Sequence, residues 1–337
     1  MERWTYAKAG VDLRKHKLMH EKALRMMARL AREINAEVGG LGGYASWIRV
    51  GSSRIVLHVD GVGTKSIIAA KLGNYEVVGW DCVAMNVNDV ACEGAVPKAL
   101  VDYIAMPEAN EDAFAGIMSG ILSAAEVSKV AVLGGETAIL PDLVNYVDAV
   151  CVVLAEKPLD FRNKAEVGDV AIGLRSSGIH ANGYSLVRKV LESTVGYEKV
   201  IDGVDVSREL LKPVVIYSNF TLEAIRRELI NSAAHITGGA FTKLKRVLGE
   251  DKDIILNMPE PHPIFKVIMK LGNVSVSEMY RVFNMGVGLV VTVPSSNVSE
   301  VLDLASRYGH EAHVLGEVKE GSGKVLIKSP WGDELEL

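Results

Sequence analysis

The chain of 337 residues is 49% apolar and 23% charged, and its 37 Lys and Arg stand against 42 Asp and Glu for a formal net charge of −5. That length allows about two domains, each able to bury its own core, which excludes disordered and fibrous classes. Mild acidity without a Lys/Arg-rich block predicts no nucleic-acid partner, although a local basic pocket for a phosphorylated small molecule fits the same composition.

From Lys15 to Asn35 the apolar residues Leu18, Met27, Leu30, Ala31 and Ile34 recur at helical spacing, and Gly39-Gly40 is expected to close that helix. Ile55–Val59 reads as a strand stopping at Asp60-Gly61, with a helix from Thr64 to Gly73. Strands are expected at Ala99–Ala105, Val130–Leu133 and Ala149–Ala155, with helices at Val77–Glu93 and Asn110–Glu126. Glu156–Asp169 is charged, holds Pro158 and has no apolar period, so it reads as the connection between domains 1–165 and 166–337. Beyond it come a strand at Val170–Leu174, helices near Asn182–Glu192, Pro213–Leu229, Pro263–Leu271 and Val298–Tyr308, and strands near Ile254–Leu256, Gly288–Val293 and His313–Val318. The fold class is α/β (α+β) in two domains. Cys82, Cys92 and Cys151 sit in apolar segments without C-x-x-C spacing and read as reduced core thiols of a cytoplasmic protein, with no zinc site. No apolar run is long enough to span a membrane, so no membrane partner is expected.

His58-Val-Asp60-Gly-Val-Gly63-Thr64-Lys65 puts a carboxylate, two glycines, a hydroxyl and an ammonium between a strand end and a helix start. Glycine lets backbone N–H groups approach phosphate, Lys65 can neutralise it and Asp60 can hold Mg²⁺. A plain tight turn capped by Asp60 or Thr64 is the alternative. The segment is no Walker A loop, because Thr64 stands where glycine is required. Asp81, Asn88 and Asp89 fall in one sector of a helix, a grouping that calls for Mg²⁺ if buried and for nothing if exposed. Gly42-Gly43, within Gly39–Gly43, and Gly134-Gly135-Glu136-Thr137 offer two more turns where backbone can meet phosphate. In the second half, Ser177, His180 and Asn182 lie in a loop leading into a helix, and His235-Ile-Thr237-Gly-Gly239 repeats the combination of histidine, hydroxyl and glycine. Either loop can bind an anion and deliver an imidazole as general acid or base.

In order along the chain, Ala9-Gly-Val-Asp12, Gly39–Gly43, Asp60–Lys65, Val87-Asn88-Asp89, Asp102-Tyr103, Gly134–Ala138, Ser176–Gly178, His180, Asn182–Lys189, His235–Gly239 and Glu278–Gly288 together resemble the aminoimidazole ribonucleotide synthetase (phosphoribosylformylglycinamidine cyclo-ligase) family. The resemblance implies a two-domain fold whose N-terminal domain forms a barrel with its homodimer partner, and a C-terminal α/β domain that completes the substrate cleft. It implies ATP-dependent closure of formylglycinamidine ribonucleotide to aminoimidazole ribonucleotide: ATP phosphorylates the formamide oxygen, the amidine nitrogen attacks and phosphate leaves. It further implies that Gly42, Gly43, Asp60, Thr64, Lys65, Asp89 and Glu136 bind ATP, with Mg²⁺ on Asp60 and Asp89. Ser177, His180, Asn182 and His235 would bind the phosphorylated substrate, and His180, Lys65 and Asp102 would serve catalysis. Three positions depart from the family pattern: Ala7, where a lysine is common, Ile179, and Ala240, which is strained if its φ is positive. A thiamine-monophosphate kinase, or a non-catalytic nucleotide-binding paralogue, is the rival reading.

Overall fold

A computed structural model describes residues 3–158 and 160–337; Met1, Glu2 and Leu159, the last inside the expected connection, lie outside the described residues. The chain forms two compact units, Tyr6–Asp160 and Phe161–Leu337 with the residues up to Thr5. The sequence-based boundary at 165/166 falls a little beyond this division. No helix among the described residues is long and apolar enough to cross a membrane.

The first unit runs α1 (Leu13–Glu33), β1 (Val38–Gly39), β2 (Trp47–Val50), β3 (Ser53–Gly61), α2 (Lys65–Lys71), α3 (Glu76–Cys92), β4 (Val96–Met106), α4 (Glu111–Ser128), β5 (Ala131–Ile139) and β6 (Asp148–Glu156). Its six-stranded sheet has the order β1-β2-β3-β6-β4-β5, antiparallel except for β4 and β5. Helix α3 packs on β3, β6 and β4 and is buried nearly all round, as expected of a helix closed in between a sheet and α4. Alternate strand residues such as Val56, Leu100, Cys151 and Val153 point into that layer and are buried. Each large apolar side chain removed from water on this face contributes roughly 1.5–3 kcal/mol before the cost of ordering the chain. Gly79 of α3 and Gly120 of α4 let the two helices touch backbone to backbone: a Cβ at Gly79 would stand 2.7 Å from Ile121 N, and one at Gly120 2.7 Å from Trp80 N.

The second unit runs β7 (Val170–Arg175), α5 (Tyr184–Glu192), β8 (Val200–Ile201), β9 (Val204–Asp205), α6 (Val206–Leu210), α7 (Ser218–Arg226), β10 (Ser232–His235), α8 (Lys245–Leu248), β11 (Lys252–Asn257), α9 (Pro263–Gly272), α10 (Val276–Val282), β12 (Val287–Val293), α11 (Val298–Arg307), β13 (Ala312–Glu320), β14 (Val325–Lys328) and β15 (Glu334–Glu336). A seven-stranded sheet has the order β10-β12-β7-β13-β11-β14-β15, and every residue of its β12 strand is buried.

Three expectations are corrected. Helix α1 ends at Glu33 rather than at Gly39-Gly40, because Asn35 adopts a positive φ of 53° and turns the chain, a conformation asparagine tolerates. Gly134-Gly135-Glu136-Thr137 is not a turn; it continues β5 to Ile139 in parallel pairing with β4. The helix expected from Pro213 starts only at Ser218, since Ser177 Oγ donates to Pro213 O and the Val215 N–H points at His180 Nε2.

Candidate active site

In the first unit, sheet register gathers the carboxylates. Asp60 on β3 pairs with Cys151 on β6, which pairs with Asp102 on β4, so all three side chains share the face covered by α3. Burial raises the Asp102 carboxyl above its usual range. Asp102 leans over the next strand at Gly135, where a Cβ would lie 2.6 Å from Asp102 Cγ, so the second glycine of the β5 pair serves this carboxylate.

Gly61–Thr64 leaves the end of β3 as a loop held from within, the Val62 N–H donating to Ala149 O at 3.1 Å. Gly63 has φ 66°, its N–H donates to Asp148 Oδ1 at 3.3 Å, and Ser66 Oγ donates to Gly63 O at 2.5 Å. Asp60 Oδ1 accepts from the Gly61 N–H at 2.8 Å. Thr64 precedes α2 without a side-chain cap bond. Asp148, which the motif reading missed, pins this loop from the first residue of β6; burial raises its carboxyl as well. An acidic residue opening an apolar strand was the available signal.

Lys65 and Asp81 depart from expectation. Lys65 Nζ donates to Asp81 Oδ2 at 2.6 Å, and both side chains are fully buried, so the cation answering Asp81 is Lys65 rather than Mg²⁺. Asp89, also buried, lies 3.6 Å from His58 Nε2, while His58 Nδ1 donates to Asn86 Oδ1 at 2.8 Å. Asn86 Nδ2 donates to Asp60 O and Cys82 O, which ties β3 to α3. Sequence reasoning passed over His58 and Asn86, whose chemistry shows only once β3 and α3 are packed.

Gly42 has φ 87°, and Gly43 lies so close to Glu93 that a Cβ would stand 2.8 Å from Oε1. The same oxygen accepts from the Tyr44 N–H at 2.9 Å, so Glu93 anchors the glycine segment. Glu136 pairs with Tyr103 on β4 and lies on the open face of the sheet, opposite to Asp60 and Asp102, because side chains alternate along the strand.

In the second unit, the loop after β7 is held from within. Asn284 Nδ2 donates to Gly178 O and Ile179 O, its Oδ1 accepts from Ser176 Oγ and the Gly286 N–H, and His262 Nε2 donates to Ser176 O at 2.7 Å. Burial lowers the His262 imidazole below its usual value. His180, at φ 67°, accepts the Ser177 N–H at Nε2 (3.2 Å), which places its ring proton on Nδ1. Asn182 Oδ1 is buried without a hydrogen-bond partner, and Asn182 Nδ2 faces Gly238 of the other loop. His235 closes β10, fully buried.

Tyr217, absent from the motif reading, joins these groups. Its ring lies 6.2 Å from His180, 6.2 Å from His235 and 5.3 Å from His310, and its hydroxyl donates to Arg175 O at 2.6 Å. Ala240 does adopt the strained conformation, with φ 45°, at a cost of about 1–2 kcal/mol for a residue bearing Cβ.

The AIR synthase related protein family matches in two parts, its N-terminal domain over residues 42–155 and its C-terminal domain over 166–328. The chain is 43% identical over 334 residues to the phosphoribosylformylglycinamidine cyclo-ligase of Saccharolobus solfataricus, covering 98% of each chain. It is 40% identical to the enzyme of the same name from Pyrococcus furiosus, over 96% of this chain and 97% of that one. Among solved structures, AaThiL complexed with AMPPCP and TMP shares the fold at a TM-score of 0.61 and 18% identity, over 92% of this chain and 95% of that one.

Proposed function

Since the chain belongs to the AIR synthase related family, and within it to the phosphoribosylformylglycinamidine cyclo-ligases, we propose a division of its chemistry between its two units. The activity is the ATP-dependent cyclisation of formylglycinamidine ribonucleotide in purine biosynthesis. The observation that carries this reading is near full-length identity with a relative of that name, supported by the carboxylate row and glycine loop of the first unit.

ATP is held by the Gly61–Thr64 loop, with Gly42-Gly43 approaching it and Asp148 and Glu93 positioning the two segments. Asp60 offers the hard oxygen that suits Mg²⁺, and Asp89 is a second carboxylate of the same chemistry, buried beside His58. Bound Mg²⁺ would neutralise charge on the transferred phosphate. Asp102, its carboxyl raised by burial, suits proton transfer.

The second unit binds the ribonucleotide. The unpartnered Asn182 Oδ1 can accept from a substrate N–H or hydroxyl, and Asn182 Nδ2 faces Gly238 of the Thr237–Ala240 turn. His180 and His235, packed on Tyr217, supply the imidazoles.

The homodimer forms through the open face of the first sheet. Paired rows Leu57–Leu154 and Val59–Val152–Val101 leave apolar side chains in water, with Leu57 63% and Val59 61% exposed. The three free cysteines suit the reducing cytoplasm.

Purified protein given formylglycinamidine ribonucleotide, ATP and Mg²⁺ will release ADP, phosphate and an aminoimidazole product. If it instead phosphorylates thiamine monophosphate and leaves the ribonucleotide unchanged, the assignment fails.

A further inference from the structure

Helix α1 carries His16-Lys-Leu-Met-His20, two histidines one turn apart and both exposed. Their Nε2 atoms face each other at 3.2 Å, with ring centroids 4.2 Å apart and planes inclined by 39°. Imidazole nitrogens bind a first-row transition ion at about 2.0–2.1 Å. Two such bonds spanning this gap would meet at the ion at roughly 100°, between the right angle of an octahedral site and the tetrahedral angle.

We propose that His16 and His20 form a two-histidine site for a divalent transition-metal ion of the Cu²⁺, Ni²⁺ or Zn²⁺ class, separate from the ATP chemistry. Two facing Nε2 atoms can coexist only if one of them holds a proton between them. A metal ion takes over that position when each ring keeps its proton on Nδ1 and turns a lone pair inward. The rings are already one turn apart on a formed helix, so binding orders only two side chains. Neighbouring charges leave the space between the rings open. Asp12 turns its Oδ1 back to cap the N–H groups of Arg14 and Lys15, and Lys17 pairs with Glu21 at 3.8 Å. Imidazole suits these ions better than Mg²⁺ or Ca²⁺, and Cu²⁺ is expected to bind most tightly. Water completes the coordination, so the affinity is below that of a three-histidine or four-ligand site.

Titration of the full chain with Cu²⁺, followed by electron paramagnetic resonance, is expected to show one site with two nitrogen ligands. His16→Gln and His20→Gln should each weaken it about tenfold or more, and the double variant should abolish it. Glutamine keeps helix propensity at these exposed positions, so circular dichroism should not change. Zn²⁺ should slow amide exchange within residues 13–33 of the wild type and leave the double variant unaffected. Equal metal binding by wild type and double variant, or a signal without two nitrogens, overturns the proposal.

Discussion

The Lys65 ammonium sits 2.6 Å from the Asp81 carboxylate, and neither side chain reaches solvent. Burial pulls the lysine below its usual value, and the Asp81 carboxylate opposes that shift. Asp81→Ala should therefore cost about 3–5 kcal/mol in denaturant unfolding, because it strands a buried cation. Lys65→Met combined with Asp81→Leu should recover most of that loss, since apolar groups of similar volume replace both charges. The buried geometry predicts that the double variant still binds ATP. A hundredfold loss of ATP affinity at restored stability would return Lys65 to the phosphates.

The Asp102 carboxyl is raised by burial, so the native state holds its proton more tightly than the unfolded chain does. The stability it contributes is complete below the ordinary carboxylate range and is lost as pH rises through the folded value. Asp102→Asn removes that ionisation with little change of shape. The melting temperature of the variant relative to wild type should rise from about pH 4 upward and level off above the folded value. A difference that shrinks over that range would show that the carboxylate form is the one the fold favours. Turnover should fall in the same variant if Asp102 moves a proton.

Much of this fold was legible because hydrophobic period is local. Helix α3 and strands β3, β4, β6 and β12 all fall where apolar spacing put them, with ends shifted by a few residues. What escaped depends on partners distant in sequence. Gly134-Gly135 reads as a turn until β4 is laid beside it, at which point Gly135 is seen to make room for Asp102. The ion pair of Lys65 with Asp81 spans 16 positions and appears only when α3 packs beside α2. The short strands β1, β8, β9 and β15, of two or three residues, are too brief to show a period. Asp60, the Gly61–Thr64 loop and both histidine loops were legible as polar and glycine residues set against apolar elements. Their supports Asp148, Glu93, Tyr217 and Asn284 were not, because one acidic, aromatic or amide residue carries no signature of its own.

The open sheet face predicts a dimer that charge can split. Val59→Lys with Val101→Lys places ammonium groups on β3 and β4, the two strands that flank β6 in the exposed row, while leaving the α3 side untouched. Light scattering should show the wild type as a dimer at micromolar concentration and the variant as a folded monomer. A monomeric wild type would remove this face from the assembly, and the row would then need another occupant.

Gly288 tests the imidazole cluster from the opposite side. It sits in β12 where the pairing with β7 slips between Val287 and Leu289, and a Cβ there would stand 2.6 Å from His180 Cε1 and collide with the Tyr217 hydroxyl. Gly288→Ala must displace one of those rings, at a cost of about 1–3 kcal/mol for overpacking. Turnover should fall further than stability, because His180 is held by the Ser177 N–H in a strained backbone conformation and has little room to shift. ATP binding, assigned to the first unit, should stay within about twofold of wild type, a change under 1 kcal/mol. Adding Tyr217→Phe removes the colliding hydroxyl and should restore part of the lost stability. Wild-type turnover in Gly288→Ala would mean that the placement of His180 and Tyr217 does not matter to the reaction.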